Sequence, residues 1–384
     1  MVNAVKVFKK ASPNGKVTAY LSQRDFVENT DHTSPIDGAV VVDGEFLQER
    51  KVYVRVAVTY RYGREEDEVM GLQFSKEFEL VKKEVVPKGN EEQVAESVNR
   101  LLQKLEGDAR PFSVQPPETA PPSVTLEPGA GGTNKTLGVT YELTVYVAEN
   151  EEEPMQKQSS VSFAVRKIQF APDKSNYRHP QILVRRTFTL SPGKLCLEVY
   201  LDQDMFFHGQ TLEPHINVTN SSKKTVKYIL AQVVQHVEVT MTSSYFSRIV
   251  ASIESREGCP IIPNTTFSRT MGVTPTAFRA FGVALDGQVQ DKDAHLASST
   301  LVSAERNIND ALGILVSYSL RVKLNCGAIG GELTADLPFK LMHPRPSENK
   351  ATLQRTQSVN ENIVIEEFSV LRRGASISDE IHDQ

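Results

Sequence analysis

Val52, Val54, Val56 and Val58 alternate with Tyr53, Arg55, Ala57 and Thr59. This period of two constrains the chain more than any other feature. Successive strand side chains point to opposite faces, so the four valines share one buried face. A helix of 3.6 residues per turn would scatter them. Related patterns recur at Leu137-Gly138-Val139-Thr140-Tyr141 and Val161-Ser162-Phe163-Ala164-Val165. In the second half they return at Leu195-Cys196-Leu197-Glu198-Val199 and Ile314-Leu315-Val316-Ser317-Tyr318. Turn signals such as Asn220-Ser221-Ser222 separate the runs. Short strands in each half of 384 residues predict an all-β fold, two β-sandwich domains in tandem.

One helix stands out. Val94, Val98, Leu101, Leu102 and Leu105 form a single apolar stripe, Asn90 can cap it with Gln93 three residues on, and Gly107 stops it. This short amphipathic helix belongs to the N-terminal domain and must lay its stripe on a sheet or another segment. Residues 111–132 are rich in proline and glycine and read as loops. Residues 65–72 interrupt two strands with charge and glycine and read as a protruding loop. The expected organisation is a first sandwich over 1–172, a hinge over 173–182, a second sandwich over 183–345 and an extended tail over 346–384. The tail is polar except for Ile363-Val364-Ile365 and Phe368.

Composition excludes several classes. Forty-three Lys and Arg against 48 Asp and Glu give a net charge of −5, so no global basic field points to nucleic acid. Cys196, Cys259 and Cys326 are odd in number and far apart, which speaks for a reducing compartment. No apolar run is long enough to span a membrane, and the start lacks the apolar core of a secretion signal. A cytosolic home follows. The eight histidines show no metal-binding spacing, and His208 and His295 read as turn or surface residues. Gly129-Ala130-Gly131-Gly132-Thr133-Asn134-Lys135-Thr136 imitates a phosphate-cradling loop, but asparagine precedes the lysine and no helical pattern follows. Nothing builds an active site, and no metal or cofactor is expected.

The opening run Val5-Lys6-Val7-Phe8-Lys9-Lys10-Ala11-Ser12-Pro13-Asn14-Gly15-Lys16 reads as a strand and a turn. A returning strand includes Thr18, Tyr20 and Phe26. Lys9 and Lys10 end the first strand, and Asp25 sits late in the second. Arg166 ends the apolar run Val161, Phe163, Val165; Asp286 follows Leu285, and Asp293 lies seven residues further on. By residue type alone these are solvated lysines, a strand-end arginine and turn aspartates.

Longer stretches change that weighting. Val-Phe-Lys-Lys-x-Ser-Pro-Asn at the start, Tyr60-Arg61-Tyr62-Gly63-Arg64-Glu65, Val165-Arg166-Lys167-Ile168-Gln169-Phe170-Ala171-Pro172, Phe206-Phe207-His208-Gly209, Leu296-Ala297-Ser298-Ser299-Thr300 and Leu337-Pro338-Phe339-Lys340-Leu341-Met342-His343-Pro344 together resemble the arrestin family over nearly the whole chain, most closely an invertebrate visual arrestin.

The resemblance implies a cytoplasmic protein, not an enzyme, recruited to membranes bearing an activated, phosphorylated G-protein-coupled receptor. For a visual type the receptor is rhodopsin, and the bound protein blocks G-protein access. It implies a polar core of Asp25, Arg166, Asp286 and Asp293, completed by a tail arginine. Phosphate would recruit Lys9 and Lys10 and draw Arg166 from its partners. A receptor-entering finger loop would contain Glu66, Asp67, Val69, Met70 and Leu72. The resting tail would latch through Ile363, Val364, Ile365 and Phe368 against Val7, Phe8, Leu101, Leu102 and Leu105. A peripheral contact with membrane phospholipid is also implied.

Two departures qualify this. Val370 stands in the tail's arginine slot, so Arg372 or Arg373 completes the core only if the tail shifts register. Gln288 and Gln290 stand where the family often has lysines. The other reading, a non-visual arrestin acting as endocytic adaptor, lacks a leucine-led acidic box in residues 346–384. Only a weak adaptor-like pattern remains, at Ile365, Phe368 and Arg372.

Overall fold

The structure, a computed structural model, describes residues 5–28, 34–62, 74–86, 94–105, 109–117, 120–127, 137–171, 178–188, 191–278, 282–286, 295–301, 313–344 and 363–368. The strands run β1 (Val5–Ala11), β2 (Val17–Leu21), β3 (Asp25–Glu28), β4 (Ile36–Val42), β5 (Lys51–Arg61), β6 (Ser75–Val86), β7 (Arg110–Val114), β8 (Val124–Leu126), β9 (Leu137–Ala148) and β10 (Ser160–Gln169). They continue β11 (Gln181–Phe188), β12 (Ser191–Tyr200), β13 (Met205–Phe207), β14 (His215–Asn220), β15 (Tyr228–Val239), β16 (Ser244–Ser255), β17 (Thr265–Thr270), β18 (Ala284–Leu285), β19 (Ile314–Asn325), β20 (Glu332–Met342) and β21 (Ile363–Glu367). The amphipathic helix, α1, is Glu96–Lys104.

The chain forms two compact units. The first comprises Met1–Ser123, Gly131–Ile168 and Pro346–Gln384; the second comprises Val124–Ala130 and Gln169–Arg345. Of the stretch expected as a hinge, residues 173–177 lie outside the described residues, and β11 already begins at Gln181.

In the first unit one sheet has the order β21-β1-β2-β4-β7, and facing it run β5, β6, β9, β10 and β3. The valines of β5 are buried with Val17, Leu21, Phe112, Leu143, Val145, Val161 and Phe163 in one core. The turn after β1 follows its residue chemistry. Asn14 Oδ1 accepts from Ser12 Oγ at 2.7 Å, and Gly15 takes φ +68°, which costs least without a Cβ. Phe26 does not continue the returning strand. β2 stops at Leu21, and Asp25 opens β3 in the opposite sheet.

α1 starts later than its cap signal predicts. Val94 and Ala95 precede it, and Asn90 lies outside the described residues. Asp37, buried on β4, reaches across and accepts from the Ala95 N–H at 2.8 Å. A distant carboxylate thus serves the orphan donors of the first turn, where negative charge is favourable. The predicted stripe holds: Val98 and Leu101 are buried, and Val94, Leu102 and Leu105 pack around them.

The second unit has sheets β11-β12-β14-β17 and β13-β20-β19-β15-β16. Leu195, Leu197 and Val199 on one, and Tyr318, Leu320, Val322 and Leu324 on the other, are buried at alternate positions. Among the described residues no helix is long and apolar enough to cross a membrane.

Candidate functional site

The first candidate site is the outer edge of the first unit, where the tail strand lies. Ile363-Val364-Ile365 is β-branched and extends readily. β21 pairs in parallel with β1, setting Val5 opposite Ile363, Val7 opposite Ile365 and Lys9 opposite Glu367. Period-two geometry then sorts the side chains. Ile363 and Ile365 pack with Val7, Tyr20, Val98 and Leu101. Val364, expected to join them, is 41% exposed, because it points to the other face. Beyond the strand the Phe368 N–H donates to Lys9 O at 2.7 Å. Its ring is buried, 5.0 Å from Phe163 and 6.4 Å from Phe8 between centroids.

Cations line this edge. Lys6 Nζ lies 2.8 Å from Glu366, and Lys9 Nζ lies 3.4 Å from Glu367. Both pairs are well exposed, so each contributes under about 1 kcal/mol. Burying Phe368 contributes about 2–3 kcal/mol, so the tail is held by apolar contact and only trimmed by charge. Lys10 differs from Lys9. Its ammonium donates to Ser162 O at 2.6 Å and sits 5.5 Å from the Phe368 ring. Burial pushes its pKa down, and Glu142 partly offsets this. Arg24, which sequence reasoning missed, stacks its guanidinium 4.3 Å from the Phe8 ring and 4.4 Å from Phe368. Its Nε is buried without a hydrogen-bond partner among the described residues.

Next to this edge Arg166 on β10 meets Asp25 on β3. Nε donates to Oδ1 at 2.9 Å and Nη2 to Oδ2 at 2.7 Å, a bidentate pair. The backbone sets it up, since Arg166 N–H donates to Arg24 O at 2.9 Å. Asp25 is 41% exposed, so this contact by itself contributes about 1 kcal/mol rather than the 3–5 kcal/mol lost when a buried pair is broken. The following residue, Lys167, is fully buried and donates its ammonium to Ala120 O.

Asp286 belongs to the second unit, just after β18, and is buried. Its Oδ2 contacts His343 Nε2. His343, His208 and His295 form a ring cluster, with centroids 4.5 Å apart for 208–343 and 5.5 Å for the other two pairs. His295 is exposed, as its turn reading implied, but His208 is half-buried and hydrogen-bonded to Ser298 Oγ at 3.2 Å. Burial, then the neighbouring His343 and His295, lower the His208 pKa to about 3. Among the described residues no group of His, Cys, Asp or Glu has metal-holding geometry.

Asp293, Val370, Arg372 and the finger-loop residues Glu66, Asp67, Val69, Met70 and Leu72 lie outside the described residues. The base of that loop is defined: Tyr62 N–H donates to Phe74 O at 2.9 Å, and the two rings meet edge-on at 6.0 Å.

A sandwich that finishes its own sheet with a strand from the far end of the chain, over a row of cations, defines a class: tandem β-sandwich proteins closed by their own tail. Comparison with known families narrows this. Residues 17–171 match the model described as "Arrestin (or S-antigen), N-terminal domain", and residues 191–346 match its C-terminal counterpart. The chain is 48% identical to an "Arrestin homolog" of Locusta migratoria over 97% of each chain. It is 43% identical to "Phosrestin-1" of Calliphora vicina, over 97% of this chain and 98% of that one. "Arrestin, lateral eye" of Limulus polyphemus is 44% identical over 96% of each. The chain belongs to the arrestin family.

Proposed function

We propose that this arrestin binds an activated, phosphorylated seven-helix receptor of the opsin class and occludes its G-protein surface. The observation that carries the reading is the parallel pairing of β21 with β1, which sets Glu366 and Glu367 on Lys6 and Lys9. A phosphate carries about −1.5 to −2 charges and competes with those single carboxylates for the same cations. Lys9, Lys10 and Arg24 would take the phosphate once Phe368 withdraws, and Arg166 would exchange Asp25 for it. The loop over residues 65–72 would then enter the receptor, with Val69, Met70 and Leu72 as apolar contacts. The relative named for a lateral eye supports a visual receptor. Cytoplasmic residence and recruitment to receptor membranes belong to the same reading.

The test uses the full chain carrying a fluorophore at Val364, whose exposure leaves the latch intact. Light-activated opsin membranes, phosphorylated and unphosphorylated, are added in turn. Phosphorylated membranes should retain more protein and change the fluorophore's environment. Equal retention by both would sink the phosphate reading.

A further inference from the structure

Residues 284–286 and 295–297 are joined in a narrow neck. Asp286 N–H donates to His295 O at 3.0 Å, and Ala297 N–H donates to Ala284 O at 2.9 Å. Behind the neck, Gln235 imitates a strand: its Oε1 accepts from Ala284 N–H at 2.8 Å, and its Nε2 donates to Ala284 O at 2.9 Å. Tyr318, fully buried and held neutral by that burial, donates to Ala297 O at 2.5 Å. Three imidazoles and one carboxylate also meet at the neck: His208 from the turn after β13, His343 from the end of β20, and His295 and Asp286 from the two legs. The Gln235 and Tyr318 contacts change no charge between pH 5.5 and 7.5, whereas imidazole is a group whose charge can change there.

We propose that the His208–His295–His343 cluster with Asp286 is a proton-sensitive clasp that joins residues 284–286 to residues 295–299. Protons on two of the three rings would put like charges 4.5–5.5 Å apart between ring centres, which is disfavoured. Of the three, His208 is held neutral, by burial first and then by the two neighbouring rings. Ser298, its buried neutral partner, offers no charge to offset a proton there. An opened neck returns His208 to water, where it titrates near pH 6.5. Acid thus favours opening. The link from neck to receptor rests on the phosphate-switch reading above, because Asp293 lies in the sequence between the two legs; the clasp itself does not.

The test is hydrogen exchange of the full chain between pH 7.5 and 5.5, corrected for intrinsic rates. Peptides covering 284–286 and 295–299 should exchange about tenfold faster at pH 5.5, the factor set by one unit below the free imidazole value. Peptides of β15 and β19 should not. His208→Asn should abolish the difference. Because that variant can fail to fold, imidazole NMR of the wild-type protein is titrated as well. A His208 that protonates near pH 6.5, or neck peptides that track the rest of the unit, overturns the clasp. Receptor binding is measured in parallel. Neck opening in acid without increased binding of unphosphorylated active receptor overturns the link to the switch and leaves the clasp standing.

Discussion

Lys9 and Lys10 are neighbours in sequence with different surroundings, and their substitutions should separate. Lys9 faces solvent and Glu367, so Lys9→Ala should cost under about 0.5 kcal/mol of stability while weakening binding of phosphorylated receptor. Lys10 is bonded to Ser162 O beside Phe368, so Lys10→Ala should cost about 1–2 kcal/mol in addition. Denaturant midpoints read beside binding check both; identical midpoints for the two variants would contradict the assignment. Arg166→Glu should bind unphosphorylated active receptor, because the bidentate contact with Asp25 becomes repulsion. Adding Asp25→Arg should restore part of the phosphate preference by re-forming the pair with signs exchanged. A double variant no more selective than the single one would remove Asp25 from the switch. These charged residues could be picked out in the sequence, but their strengths could not. Asp25 owes its exposure to a strand start that no local pattern announces. Neither Arg24 nor His343 stands out as a site residue in the sequence, because their partners lie far away along the chain.

At the scale of the element, β21 offers its own control. Ile365 and Phe368 are packed, whereas Val364 is exposed. Phe368→Ala should cost about 3–5 kcal/mol of tail docking and leave β1 amides exchanging freely, with binding less dependent on phosphate. Val364→Ala should change neither measure. Comparable effects from the two would mean that the strand is held by its backbone alone. The sequence made the strands and the α1 stripe legible because both express a local period. The helix start was not legible, since the group serving it is Asp37 of β4 rather than a neighbouring cap. Nor was the face of Val364, because a three-residue apolar run carries no alternation. The histidine cluster was hidden for a related reason: residues 208, 295 and 343 meet only through the packing of the second unit.

At the scale of the whole molecule, acid should find the second unit first. His208 has its pKa lowered to about 3 on folding, so the unfolded chain takes up that proton more readily. Stability from this group is complete above about pH 6.5 and is lost as pH falls from there towards 3. At pH 5.5 the loss should be about 1.4 kcal/mol. Melting at pH 7.5 and 5.5 should show it in the wild type and not in His208→Asn; an equal shift in both would assign the acid sensitivity to other groups. The tail has a different kind of consequence for the molecule. β21 is supplied by the same chain, so its docking on β1 is a tethered equilibrium. A tether of this sort acts like a ligand at about millimolar local concentration, present whatever the dilution. A rival for the β1 edge must outcompete that standing concentration, and several weak contacts made together do so better than one. Cutting the chain anywhere between residues 345 and 362 would abolish the tether and turn docking into a bimolecular step. The nicked protein, with every contact intact, would then shed its last strand on dilution alone.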